Sequence, residues 1–178
     1  MEIVEVKDKV FGRFISEQQI MKGVQEIAAQ INIDYKGKNP LLLAVLNGAF
    51  IFAADLIREL TIPCQISFVK YASYVGTKST EGVKELIGLN EDLRGRHIIV
   101  VEDIVDSGIT MDHLLHDLNN YNPASVKLAC FFLKPEAFIK SFNIDYLGME
   151  IPNDFIVGYG LDYDGYGRNL PEIYKLEN

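Results

Sequence analysis

The sequence predicts an α/β domain in which helices flank a central, mostly parallel β-sheet. Apolar runs of strand length alternate with segments of helix length, which is the order found in parallel sheets. One run, at residues 98–101, consists of four β-branched residues and is typical of a strand buried on both faces. The 178 residues, 48% of them hydrophobic, fit one domain with a full core.

The elements are predicted in chain order from apolar periodicity, caps and breakers. A short strand is expected near residues 3–6, and the capping-box pattern at 16–19 opens a helix that runs to about Ile31. Pro40 then breaks the chain. The elements that follow are a strand at 41–46, a helix at 49–60, strands at 64–71 and 98–101, a helix at 111–119 and a strand at 126–133.

The most informative stretch follows the strand at 98–101. Glu102 and Asp103 stand at its carboxyl end, where ligands collect in open parallel sheets. A short loop before the helix then contains Asp106, Ser107, Gly108, Ile109 and Thr110. Backbone N–H groups and hydroxyls at a helix N-terminus can bind a phosphate, while the acids suit ribose hydroxyls, a divalent cation or a proton. The alternative is a plain helix cap beside solvated acids.

Residues 100–110 resemble the signature of the type I phosphoribosyltransferases, and more narrowly of the hypoxanthine (hypoxanthine-guanine) phosphoribosyltransferases. The resemblance extends from about Leu41 to about Arg168. It implies the type I phosphoribosyltransferase fold as a single domain over 1–178, with a core at about 35–150 and a small hood from about 1–15 and 151–178. It also implies purine salvage, in which the 5-phosphoribosyl group of phosphoribosyl pyrophosphate moves to N9 of hypoxanthine or guanine, giving IMP or GMP and pyrophosphate, with Mg²⁺ as cofactor.

The same resemblance assigns the sugar-phosphate site. It implies that Glu102 and Asp103 hold the ribose hydroxyls and help to place magnesium, and that residues 107–110 bind the 5-phosphate. A second loop, formed by Leu46, Asn47 and Gly48, would bind pyrophosphate and contain a non-proline cis peptide between Leu46 and Asn47. Many relatives carry Lys where this chain has Asn47, so a charged contact is not expected there.

Lys134 ends the strand at 126–133 and is expected at the same sheet edge. Its ammonium group only donates hydrogen bonds, so it suits the 6-oxo group of a purine and opposes the amino group of adenine. The resemblance assigns Phe155 to stacking on the base and the main chain of Ile156 to its edge. It places Asp162 in the purine site as a magnesium contact through water, and makes Arg168 a pyrophosphate clamp.

Asp106 is the predicted catalytic residue. When purine N9 attacks the anomeric carbon, the base must lose a proton from N7, and a carboxylate within hydrogen-bond reach can accept it. Most of the rate enhancement is expected from electrostatic stabilisation of the departing pyrophosphate.

The segment at about 72–88 is polar and interrupted by glycines. It is either an ordinary surface excursion or a mobile lid. Mechanism favours the lid, because an oxocarbenium-like transition state must be shielded from water. The resemblance matches Ser73 and Tyr74 to the phosphoribosyl pyrophosphate contacts of that lid.

Composition restricts partners and location. The formal net charge of -8 and the lack of a basic run argue against nucleic acid, and no apolar segment approaches membrane-span length. We therefore expect small-molecule substrates and a cytoplasmic protein, and the resemblance implies a homodimer or homotetramer. Cys64 and Cys130 are expected as buried thiols, and His113 with His116 is too few ligands for a zinc site.

Three alternatives remain open at this point. A xanthine-preferring relative would differ in the pocket around purine C2. A non-catalytic sensor of phosphoribosyl pyrophosphate would keep the loop and lose the chemistry. A receiver-type signalling module would leave the Ser-Gly-x-Thr loop at 107–110 unexplained.

Deletion of residues 76–82 should lower turnover far more than stability, because the predicted lid excludes water and adds little to the core. Steady-state turnover and the melting temperature measure the two effects. An unchanged turnover number would contradict the lid.

Overall fold

The computed structural model describes residues 2–73, 83–87 and 91–177. Its elements, in chain order, are β1 (Ile3–Val6), β2 (Lys9–Ile15), α1 (Glu17–Asp34), β3 (Leu41–Val45), α2 (Phe50–Glu59), β4 (Gln65–Ser73), β5 (Val83–Ile87), β6 (His97–Val105), α3 (Ile109–Asn119), β7 (Ser125–Leu133), β8 (Tyr146–Glu150), β9 (Ile156–Val157) and β10 (Ile173–Leu176). They form a six-stranded sheet of order β5-β4-β3-β6-β7-β8 and a four-stranded sheet of order β1-β2-β10-β9.

The large sheet confirms the predicted α/β class. Strands β4, β3, β6, β7 and β8 pair in parallel, and β5 is added antiparallel to β4. The strand β3 is buried at every position, and residues 98–101 of β6 are fully buried. Both are central strands covered on two faces, which explains their continuous apolar sequences.

Helices cover both faces of this sheet. Alternate strand residues such as Leu42 and Ile99 belong to a cluster with the buried stripes of α1 and α2, while Leu43 and Val100 belong to a second cluster with α3. The helix α1 begins at the predicted capping box, in which the Ser16 N–H donates to Gln19 Oε1 at 3.0 Å.

The two chain ends combine in the small antiparallel sheet. Strand β10 lies between β2 and β9, so the first and last segments share one core that includes Phe11 and Tyr174. Side chains of the β1–β2 turn also reach the C-terminal segment, where Lys7 pairs with Asp164 and Tyr163 donates to Asp8. The strands β2, β8 and β10 were not predicted, because glycine and charged residues interrupt their apolar patterns.

Two predicted boundaries at the informative stretch are wrong. Strand β6 continues to Val105, because its pairing with β7 continues to the register Val105↔Leu133, so Glu102 and Asp103 lie inside the strand. Helix α3 starts at Ile109, so Ile109 and Thr110 belong to its first turn and not to the loop.

The ends of the predicted loop at 72–88 are strands. Ala72 and Ser73 belong to β4, and Val83–Ile87 form β5 by pairing with the edge of β4. Backbone pairing at a sheet edge needs no apolar period, which is why the sequence did not indicate β5. Tyr74 and the rest of the predicted lid, at 75–82 and 88, lie outside the described residues. Among the helices that the structure describes, none has the length and apolar character needed to span a membrane.

Candidate active site

The predicted site residues of three strands meet at the carboxyl edge of the large sheet. A cavity of about 270 Å³ opens there. Its walls are the end of β3 with Leu46 and the continuous stretch from Glu102 to Met111. Parallel pairing brings these strand ends together although they are far apart in sequence.

Two adjacent acids form the floor of this site. Asp103 is buried, and its Oδ1 accepts a hydrogen bond from the N–H of Ile104 at 2.9 Å. Burial raises the pKa of Glu102 well above its usual range, with a further contribution from the neighbouring charge of Asp103, and burial raises the pKa of Asp103. A bound cation or hydroxyl donors would relieve this cost, so the pair is suited to sugar hydroxyls and a divalent metal.

The loop after β3 is wedged between this floor and the C-terminal segment. The peptide bond between Leu46 and Asn47 is cis, as the resemblance implied. A Cβ atom on Gly48 would lie 1.7 Å from Asp103 Oδ2, so only glycine fits there. A Cβ atom on Gly160, whose φ is +97°, would lie 2.1 Å from the carbonyl oxygen of Gly48. Gly48 therefore lies against the Asp103 carboxylate on one side and against the backbone of Gly160 on the other.

The predicted 5-phosphate loop closes over the start of α3. Gly108 is the N-cap residue with φ of +81°, a left-handed conformation that glycine adopts at no steric cost. The Ile109 N–H donates to Ser107 Oγ at 3.4 Å, and the first helical residues Thr110 and Met111 line the cavity. The positive end of the α3 dipole thus faces the cavity, which favours an anion.

Lys134 and Asp106 form a pair on the rim. Strand pairing places them there, since the Lys134 N–H donates to the Val105 carbonyl at 3.1 Å. Lys134 Nζ lies 3.3 Å from Asp106 Oδ2, with the lysine side chain 10% exposed and the aspartate side chain 57% exposed. A largely buried ammonium donor therefore stands beside an exposed carboxylate acceptor.

The C-terminal segment supplies a partly exposed ring. Phe155 is 46% exposed, meets Tyr163 edge-on at 5.9 Å between ring centroids and meets Phe11 at a tilt at 6.2 Å, so about half of the ring remains open to solvent. Ile156 is buried within β9.

Arg168 is held by two acceptors. It approaches Asp162 Oδ1 at 2.7 Å and donates to the Gly160 carbonyl at 2.5 Å. It lines a second pocket together with Leu46 and Asn47, which puts its guanidinium group beside the loop after β3.

The three predicted magnesium ligands do not form one cluster. The described part of the chain contains no group of three or more His, Cys, Asp or Glu side chains that could hold a metal. Asp162 is engaged instead by Arg168 and by the Gly165 N–H, which donates to its Oδ2 at 2.6 Å. A cation on Glu102 and Asp103 would take its other ligands from substrate and water, a common arrangement for Mg²⁺.

Sequence reasoning missed the residues that support the site from behind. Phe138 packs beneath Gly108, and Tyr159 donates to Asp55 Oδ2 at 3.0 Å, tying the C-terminal segment to α2. Burial is the first cause that raises the pKa of the Tyr159 hydroxyl. Their only sequence signal was an apolar or aromatic residue near a predicted loop. Ser73 is the last residue of β4.

The chain is similar in sequence to known phosphoribosyltransferases. Residues 14–164 match the family model for the phosphoribosyl transferase domain. The hypoxanthine-guanine phosphoribosyltransferase of Streptococcus thermophilus is 42% identical over 164 residues, covering 91% of this chain and 91% of that protein. The enzyme of the same name from Aquifex aeolicus is 37% identical over 176 residues, covering 98% of this chain and 99% of its own.

Solved structures agree with the fold. A crystal structure of a hypoxanthine-guanine phosphoribosyltransferase from Bacillus anthracis superposes with a TM-score of 0.88 at 37% identity, covering 96% of this chain and 99% of that one. A hypoxanthine phosphoribosyltransferase from Staphylococcus aureus gives 0.89 at 31% identity, covering 93% and 91% of the two chains. The family match and these relatives establish that the chain belongs to the phosphoribosyltransferase family.

Proposed function

We propose that this chain catalyses transfer of the 5-phosphoribosyl group from phosphoribosyl pyrophosphate to N9 of a 6-oxopurine, hypoxanthine or guanine, with release of pyrophosphate. The products are the purine nucleotides IMP and GMP. The relatives named hypoxanthine-guanine phosphoribosyltransferase support this substrate class, because they match over almost the whole chain at 37–42% identity.

The pairing of Lys134 with Asp106 is the observation that carries the proposal. In a 6-oxopurine, O6 and N7 are adjacent acceptors on one edge of the base. The ammonium group of Lys134 can donate to O6, while the carboxylate of Asp106, 3.3 Å away, faces N7 when that atom carries a proton. Adenine presents an amino group in place of O6 and would leave two donors facing each other.

The sugar phosphate would bind across the cavity between the two loops. The 5-phosphate would bind to residues 107–110 at the start of α3, and the ribose hydroxyls to Glu102 and Asp103. Pyrophosphate would lie against Leu46, Asn47 and Gly48, with Arg168 offering a guanidinium group from the other side. Ser73 and Tyr74 would complete the phosphoribosyl pyrophosphate contacts from the lid.

Bond changes at the anomeric carbon follow from this placement. The C1–oxygen bond to pyrophosphate breaks, the N9 lone pair forms the new bond, and the N7 proton passes to Asp106. Phe155 would hold the ring plane by stacking, and the main chain of Ile156 would read the base edge. Glu102 and Asp103 would hold a Mg²⁺ ion directly and Asp162 would contact it through water; when bound, the ion would supply positive charge against the leaving pyrophosphate.

The second candidates have less support. The named relatives favour neither a xanthine-specific enzyme nor a non-catalytic sensor.

We propose that the small antiparallel sheet acts as the hood, because it carries Phe155 and continues into the segment with Arg168. The chain is also proposed to act in the cytoplasm as a homodimer or homotetramer, in line with the resemblance.

Asp106→Asn should lower the turnover number by about 100-fold or more, since a positioned general base contributes 10²–10⁴-fold. Its dissociation constant for phosphoribosyl pyrophosphate should stay within about threefold of the wild type, because the amide keeps the size of the side chain and the loop. Initial-rate assays measure the turnover number, and isothermal titration calorimetry measures the dissociation constant. Glu26→Gln, which removes an exposed carboxylate on α1, is the matched control. Equal losses in turnover and sugar-phosphate binding would make Asp106 a structural cap.

Lys134→Ala should raise the KM for hypoxanthine by about 10- to 100-fold, the value of a hydrogen bond made by a charged donor. The KM for phosphoribosyl pyrophosphate should change little. Initial-rate kinetics with each substrate varied in turn make this comparison. Lys22→Ala, in which a lysine 78% exposed on α1 is removed, should leave both constants unchanged. A rise confined to phosphoribosyl pyrophosphate would contradict the assignment.

A further inference from the structure

The chain that follows Lys134 returns to the 5-phosphate loop. The Lys134 carbonyl accepts hydrogen bonds from the N–H groups of Ala137 and Phe138, both at 3.1 Å, which forms a tight turn. The next N–H, that of Ile139, donates to the Ser107 carbonyl at 3.3 Å. The main chain behind the purine-recognition lysine is thus bonded to the main chain of the phosphate loop.

Phe138 fills the space behind the left-handed turn of this loop. A Cβ atom on Gly108 would lie 2.7 Å from the Cε2 atom of the Phe138 ring. Phe142 meets the same ring edge-on at 5.1 Å between centroids, and both rings pack against the apolar cluster beneath α3. The loop therefore rests on an aromatic pair instead of on solvent.

An ion pair joins the same segment to α3. Lys140 Nζ lies 2.9 Å from Asp112 Oδ2 in the first turn of the helix. Both side chains are partly exposed, so the pair contributes less than the aromatic contact. The segment nevertheless touches the loop and the helix on both sides of Gly108.

We infer that Phe138 is a positioning residue, which supports the Gly108 turn and so fixes the distance between the 5-phosphate site and Lys134. The inference rests on the proposed function for its substrates. Phe138 is not among the residues that line the cavity, so it acts through the loop and not by touching a ligand. A loop that can move loses the geometry in which its N–H groups converge on phosphate, and small displacements have large kinetic costs.

Binding of ribose 5-phosphate tests the inference without any turnover. By calorimetry, Phe138→Ala should bind this probe at least about tenfold more weakly than the wild type, whereas Phe138→Leu should recover most of the affinity because it refills the space. The matched control is Phe14→Ala, which removes a partly exposed ring packed beneath Lys175 on the small sheet and should bind normally. Unchanged binding in Phe138→Ala, or an equal loss in Phe14→Ala, would overturn the inference.

Kinetics and hydrogen exchange provide independent readouts. In Phe138→Ala the KM for phosphoribosyl pyrophosphate should rise by about tenfold while kcat falls less, since a saturating ligand restores the loop. In the wild type, ribose 5-phosphate should slow amide exchange at residues 136–142 but not in α1, and this measurement serves even if the alanine variant does not fold. Unaltered exchange at 136–142 would contradict the coupling. If the wild type binds ribose 5-phosphate in a Phe138-dependent way but transfers no phosphoribosyl group from phosphoribosyl pyrophosphate to any purine, the proposed function fails and the positioning role stands.

Discussion

The site depends on the parallel pairing of β6 with β7. This pairing continues to Val105↔Leu133. The hydrogen bond from the Lys134 N–H to the Val105 carbonyl extends the contact between the two chain segments by one residue. Because the two strands end in register, the residues that follow them, Asp106 and Lys134, must emerge side by side. A slip of one residue would turn every side chain of either strand to the opposite face and separate this pair. The core around β6 therefore determines the geometry of the rim.

Close backbone contacts extend this constraint to the other segments. Gly48 lies between the buried carboxylate of Asp103 and the backbone of Gly160, where side chains would collide. The loop after β3 and the C-terminal segment are thereby held against the floor formed by β6. The hydrogen bond from Tyr159 to Asp55 also ties the C-terminal segment to helix α2. Within the part of the chain that the structure describes, the polar site is assembled at the ends of rigid strands.

The central strands and the acidic loop could be predicted because their signals are local. Residues 98–101 are continuously β-branched, Ser16 and Gln19 form a capping box, and the small residues at 107–108 precede a helix. The edge strands β5 and β8 and the terminal strands β2 and β10 could not, because their apolar patterns are interrupted and they are defined by pairing that exists only in the folded sheets. The exact end of β6 was missed for the same reason, since its partner β7 extends it past the acids.

Within the site, too, the contacts that depend on tertiary packing could not be predicted from the sequence. Lys134 and Asp106 could be assigned from strand ends and from the family resemblance, but their separation of 3.3 Å depends on tertiary pairing. Phe138 gave no signal beyond being apolar, and its contact with Gly108 exists only after α3 and the segment behind it have packed. Sequence thus indicated which groups carry the chemistry, whereas the groups that position them required the fold.

The central claim is that the Lys134–Asp106 edge selects 6-oxopurines for transfer of the phosphoribosyl group. The most direct measurement incubates the wild-type chain with Mg²⁺, phosphoribosyl pyrophosphate and one base at a time, namely hypoxanthine, guanine, xanthine or adenine, and follows nucleotide formation by ultraviolet absorbance. The account predicts turnover with hypoxanthine and guanine and none with adenine. Turnover of adenine at a comparable rate, or binding of phosphoribosyl pyrophosphate without turnover of any base, would contradict it.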